Sequence, residues 1–224
     1  MPANSSAIED VRAAMSDTGQ GSRATNRQAI EDKILKAAEA IFAERGYGGT
    51  TTASIAEAAG LPKANVHYYF GTKKALYRAV LDNILDLWLA PLAEFTEEAD
   101  PKQALTRYIK TKIWYSRNRP NASKVFANEI LHGAAHITDY LSNHLRQEVE
   151  RQADVIHKWI AQGRMAEVDP VHLLFVIWAA TQTYADFNVQ VATVLGKERL
   201  DGSDFDDAEK TVTQMVLATC GLTE

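Results

Sequence analysis

The chain has 224 residues, 46% hydrophobic and 24% charged, with a formal net charge of −5. That balance excludes a disordered or fibrous chain and leaves room for one large domain or two small ones with real cores. One cysteine, Cys220, allows no intrachain disulfide. No apolar run approaches the roughly 20 residues that span a bilayer, and the polar first twenty residues do not read as a signal peptide, so no membrane association and a cytoplasmic location are expected.

The overall negative charge argues weakly against a nucleic-acid partner, but its distribution reverses the inference. From Gly21 to Val80 nine basic residues face five acidic ones, a net of plus 4, so the remainder carries minus 9. A basic module joined to an acidic body suits a DNA binder whose other half binds something else.

In chain order, residues 1–25 are rich in serine and glycine with little apolar period, and read as a disordered arm carrying Arg23, with Arg27 just beyond it. From Asn26 to Arg45, Ile30, Ile34, Ala37, Ala38, Ile41 and Phe42 recur at helical spacing, and Gly46 stops the helix. Tyr47 follows as an aromatic that suits core packing. Thr51 can cap a short helix that buries Ile55, Ala56 and Ala59, and Gly60 gives the backbone freedom a sharp reversal needs. Pro62 then opens a helix to Phe70 that buries Val66 and Phe70 and turns Lys63, Ala64, Asn65, His67 and Tyr68 outward. Such a face suits a major groove. Lysine and asparagine pair with purine edges, small Ala64 permits close approach, and tyrosine hydroxyls reach phosphates.

Gly71-Thr72 caps the next helix, from Lys73 to about Leu89, where Pro91 ends or kinks it. Lys73 at its start can meet a phosphate and Trp88 at its end reaches the body, so the helix reads as a lever. The rest is helical throughout: about Pro101 to Asn118, Asn121 to Leu131, Ile137 to Gln162, Pro170 to Leu195 and Phe205 to Cys220. The last two helices have uncharged faces (Leu173, Leu174, Ile177, Ala180, Thr181, Tyr184; Val212, Met215, Val216, Thr219) that suit a four-helix dimer interface. Within them Trp178 and Gln182 lie one turn apart, with Asp186 a turn further. An indole plane beside an amide suits a flat heterocycle with alternating C=O and N–H groups, and the same residues also suit core and interface polar roles.

The stretch Thr50, Thr51, Ile55, Ala56, Ala59, Gly60, Tyr69, Phe70 and Lys73 resembles the helix-turn-helix of the TetR family of bacterial repressors. The family often has serine where Pro62 stands and tyrosine where His67 stands. The resemblance implies an all-α fold, with a three-helix DNA-binding domain over 26–72 and a ligand-binding and dimerisation domain over 73–224, linked by the helix 73–91. It implies a homodimer on a palindromic double-stranded operator, with DNA contacts from Thr50, Thr51, Lys63, Ala64, Asn65, His67, Tyr68, Tyr69 and Lys73. Ile84 to Leu92 and Ile177 to Phe187 are similar to the uracil-sensing, pyrimidine-utilization subgroup of that family. This implies no cofactor, an effector that is uracil or thymine and whose binding releases DNA, and a ligand site drawn from Trp88, Glu129, Trp178, Gln182 and Asp186. Two alternatives stand beside it: a TetR-type regulator answering another metabolite, and a helical metalloenzyme built on Glu129-x-x-His132 and Asp154-x-x-His157.

Overall fold

A computed structural model describes residues 6–223, with side chains from residue 25 onward. All its regular elements are helical, in two compact units that meet in sequence at Tyr77 and Arg78. The first unit holds α1 (Ser6–Gly49), α2 (Thr52–Ala58), α3 (Lys63–Phe70) and the start of α4 (Lys73–Leu89). The boundary falls five residues beyond the expected 72/73 division, because Leu76 and Tyr77 are buried and Tyr77 packs on Phe42 and Tyr47 at ring separations of 4.7 and 4.8 Å.

The arm expected to be disordered is helical from Ser6, while residues 1–5 and the side chain of Arg23 lie outside the described residues. Ala7 to Met15 contain several good helix formers and no proline, a composition compatible with helix. Helical geometry breaks at Gly46, with φ 65° and ψ 175°. Ile34, Ala38 and Phe42 of α1 pack with Ile55, Ala56, Ala59 and Val66 as the core of the unit. The reversal between α2 and α3 requires φ 59° at Gly60, a left-handed conformation that a side chain would oppose.

In the second unit, α5 (Pro101–Asn118) packs against α9 (Pro170–Asp186) and α11 (Gly202–Thr219), while α6 (Pro120–Leu131) and α8 (Arg146–Ala161) also pack on α9. Leu105, Ile109, Ile156, Trp159, Leu174 and Ile177 form the centre of its core. Asp100 and Asp169 each cap a helix whose first residue is proline, accepting from the N–H of Gln103 and His172. Ser116 on α5 donates to the Thr181 carbonyl on α9 at 2.7 Å, a buried bond that pins these two helices together.

Of two helices read as continuous, one changes its winding along its length and the other is interrupted. The span from Ile137 to Gln162 comprises α7 (Thr138–Tyr140), a π-helical turn over Leu141–Leu145, and α8. The span from Pro170 to Leu195 breaks at Phe187 into α9 and α10 (Asn188–Val194). Neither the π turn nor the break at Phe187 carries a glycine or proline that would announce it. The faces assigned to dimerisation are also corrected. Leu173, Leu174, Ile177, Thr181, Val212 and Val216 are buried within this chain, whereas Met215 and Thr219 of the same faces are exposed, with Phe175 and Val176 exposed nearby.

Candidate functional site

The first candidate site is the outer face of α3. Thr51 positions the motif through a reciprocal cap: its hydroxyl oxygen accepts from Ser54 N–H at 3.1 Å, and its own N–H donates to Ser54 Oγ at 3.3 Å. Lys63, Ala64 and His67 are exposed, Asn65 and Tyr69 partly so, and Tyr68 is 75% exposed. Val66 alone of this helix is fully buried, which leaves nearly its whole outer surface for a partner. Arg27 lies over the Tyr69 ring at 5.7 Å and pairs with Glu31 at 3.0 Å, so the middle of α1 brings its charge to the same region.

Three of the residues expected to contact DNA also make contacts that hold the motif together. Thr50 is 1% exposed, and its hydroxyl donates to the Gly46 carbonyl at 2.7 Å, capping the end of α1. The Lys73 ammonium donates to the carbonyls of Tyr47 and Thr50 at 2.8 and 2.9 Å and sits 4.3 Å from the centre of the Tyr47 ring. A strongly hydrated ammonium is held inward here because two carbonyl oxygens at a helix end, together with a π face, replace its water. His67 places Nδ1 3.0 Å from the Gly71 carbonyl, so that nitrogen carries the hydrogen, and Nε2 faces Thr52 Oγ1 at 3.5 Å. Its ring ties the end of α3 to α2.

The second candidate site is a cavity of about 70 Å³ inside the C-terminal unit, lined by Leu85, Trp88, Leu89, Leu92, Tyr108, Lys112, Phe126, Leu145, Trp178 and Gln182. One water needs roughly 10–15 Å³ on this measure, so the space exceeds a packing void. Trp88 meets Phe126 edge to face at 4.6 Å. Trp178 Nε1 donates to the Tyr108 hydroxyl at 2.7 Å, which fixes both rings.

Lys112 is the unexpected member. It is 4% exposed, its Nζ stands 4.6 Å from the centre of the Trp88 ring, and among the described residues it donates no hydrogen bond. Burial lowers its pKa to about 8, against a partial rise from the field of Asp186. Tyr108 is likewise pushed well above the usual phenol range, chiefly by burial. Its own O–H proton finds no acceptor among the described residues, and neither does the Gln182 amide find a partner. The wall therefore offers an ammonium, a hydroxyl and an amide to whatever enters.

Trp88, Trp178 and Gln182 of the expected ligand set meet at this cavity; Glu129 and Asp186 do not line it. Glu129, 5% exposed, accepts from the backbone N–H of His136 at 2.7 Å and from its ring. Asp186 accepts from Ser123 Oγ, and its pKa is raised by burial despite that bond and the fields of Lys112 and Lys124. The charge at the cavity thus has the opposite sign to the carboxylate anticipated. A signal for Lys112 was present: it falls on the apolar stripe of α5 with Tyr108, Ile109, Ile113 and Ser116, where a lysine is costly without a purpose. The carboxylate-x-x-His pairs do not assemble, since among the described residues no three His, Cys, Asp or Glu side chains converge, and His132 Nδ1 lies 2.7 Å from the Asn128 carbonyl.

Residues 34–80 match the family described as bacterial regulatory proteins, tetR family, and residues 81–223 match the YcdC-like protein, C-terminal region. The chain is 42% identical over 204 residues to the HTH-type transcriptional regulator RutR of Escherichia coli K12, covering 91% of this chain and 95% of that one. Its fold is similar to the ketosteroid transcriptional regulator KstR2 of Mycobacterium tuberculosis, with a TM-score of 0.67 and 19% identity, covering 85% of this chain and 94% of that chain. AibR, solved with isovaleryl coenzyme A and operator DNA, gives a TM-score of 0.64 at 21% identity, covering 83% and 97%.

Proposed function

The chain belongs to the TetR family of bacterial transcriptional regulators, and on that premise we propose that it is a homodimeric repressor of pyrimidine catabolism, released from its operator by uracil or thymine. The observation that carries the effector class is the cavity lined by Trp88 and Trp178, where, among the described residues, the Lys112 ammonium and the Gln182 amide have no hydrogen-bond partner and the Tyr108 hydroxyl, which accepts from Trp178, keeps its own proton to donate. Uracil and thymine are flat rings with two carbonyl oxygens and two ring N–H groups. Lys112 and Tyr108 donate to carbonyl oxygen, Gln182 pairs an N–H/C=O edge through its amide, and the aromatic side chains supply stacking area. The similarity to RutR over nearly the whole of both chains supports the same assignment.

Operator recognition rests on α3, with Lys63, Ala64 and Asn65 toward base edges and Thr51, Tyr68 and Tyr69 toward phosphates. Release follows as a population shift: the ring binds more tightly to a state in which α4, continuous from Lys73 to Leu89, no longer holds the paired recognition helices at operator spacing. Isothermal titration of the dimer with uracil, repeated on Gln182→Ala, tests the effector site. Binding by the parent and a loss of about tenfold or more in the variant support the reading. No binding by the parent removes pyrimidines as effectors and leaves the DNA-binding assignment in place.

A further inference from the structure

Lys112 poses a problem that a neutral ring only partly solves. Its ammonium is almost fully buried beside the Trp88 ring, and among the described residues no carboxylate touches it. The opposite charges on neighbouring elements act on it only from a distance or are paired with other groups: Asp186 on α9, whose field reaches Lys112, accepts its hydrogen bond from Ser123, and Glu148 on α8 accepts from Arg151 at 2.6 Å and from Gln152 at 2.7 Å. Lys124 on α6 adds a further positive field near Asp186. The other donor aimed at the same space, the Tyr108 hydroxyl, is already an acceptor for Trp178, so its remaining capacity is to donate. In low dielectric an uncompensated buried cation is far more costly than a paired one, and a hydrogen bond to an ionised oxygen is roughly twice as strong as one to a neutral oxygen.

Resting on the reading of this cavity as a site for a dioxo ring, we propose that it takes the ring as its oxyanion, with Lys112 and Tyr108 donating to the charged oxygen, and so selects among rings by acidity. The step is an acid–base one. The ring N–H gives its proton to water where Lys112 is already an ammonium, or to the Lys112 amine where it is not; the resulting charge delocalises onto the adjacent oxygen, and no other bond breaks. Gln182 then matches the rest of the ring edge, and Lys112 becomes the residue that sets specificity.

The test uses three rings of nearly equal size and increasing N–H acidity: uracil, 5-fluorouracil and 6-azauracil. Titrated into the full-length protein at pH 7, they are expected to bind in that order of rising affinity, by up to about tenfold for each unit by which the ring pKa falls. The bound ring is expected to show the ultraviolet spectrum of its anion at a pH where the free ring is neutral. Lys112→Met, checked for folding by circular dichroism, is expected to flatten the series and abolish the anion spectrum while retaining weak binding. Equal affinities in the parent, a bound spectrum of the neutral ring, or an unchanged trend in Lys112→Met would each overturn the proposal while leaving a pyrimidine effector standing. Failure of all three rings to bind defeats the pyrimidine reading itself, and this inference with it.

Discussion

A lysine ammonium that shares a cavity with Trp88, Tyr108 and Phe126 is withdrawn from bulk water and, among the described residues, meets no hydrogen-bond acceptor. With a folded pKa of about 8 against an ordinary 10.5, the unfolded chain binds a proton that the folded chain lacks between those values. Stability therefore rises with pH across that window, and below about pH 8 the full cost, on the order of 3 kcal/mol, is present. Urea unfolding of ligand-free Lys112→Met is expected to show a protein more stable than the parent at pH 7, with the gap closing toward pH 10.5; equal stability at both would show that the ammonium is well solvated. Two other lysines separate binding from folding. Lys63→Ala on exposed α3 is expected to weaken operator binding by about 1–3 kcal/mol with no change in melting temperature or ligand affinity. Lys73→Met removes two charge-assisted hydrogen bonds, so it is expected to destabilise the DNA-binding unit by roughly 2–3 kcal/mol, seen as faster amide exchange in α1 and α2.

At the scale of elements, the capping box at Thr51 sets where α2 begins, and Thr51→Ala is expected to cost about 1 kcal/mol in chemical denaturation. The π-helical turn over Leu141–Leu145 is the other local feature at this scale, and π turns inside helices are frequent at functional sites. Its last residue, Leu145, lines the cavity. Just before α7, His136 is held by Glu129 through its N–H, and its carbonyl accepts from Arg78 Nη1 on α4 at 2.6 Å. Cavity, π turn, His136 and α4 thus form one run of direct contacts and short chain. Arg78→Ala is expected to leave uracil affinity unchanged and to reduce the uracil-driven loss of operator binding by about 1 kcal/mol of coupling, measured by titrating protein onto operator with and without uracil. Unchanged coupling would place the transmission elsewhere.

For the whole molecule, the proposal needs two copies. Two recognition helices meet half-sites about 34 Å apart, one turn of DNA. Val176 on α9 and Met215 on α11 are exposed apolar residues that border one groove together with His172, Leu173 and Thr219. A charge introduced there by Val176→Asp with Met215→Asp is expected to give a monomer in sedimentation equilibrium and to lower operator affinity on the order of a hundredfold through lost avidity. A dimer that survives this change uses another face.

What the sequence determined by itself is what neighbours in sequence decide. Asp100-Pro101 and Asp169-Pro170 announce helix starts, Gly46 and Gly60 announce the breaks that define the DNA-binding motif, and the one-turn spacing of Trp178 and Gln182 puts both on the face that reaches the cavity. Charge balance along the chain likewise divided the basic module from the acidic body. The tertiary structure decided which way each polar group turns, because that depends on partners far away in sequence. Lys73 faces inward because carbonyls 23 and 26 residues earlier end a helix there. Asp186 is withdrawn by a serine 63 residues away, and Trp178 is fixed by a tyrosine 70 residues away. The sign of charge in the cavity followed from these distant pairings, since a carboxylate turned to a hydroxyl or an N–H leaves the lysine on α5 as the ion that faces the space.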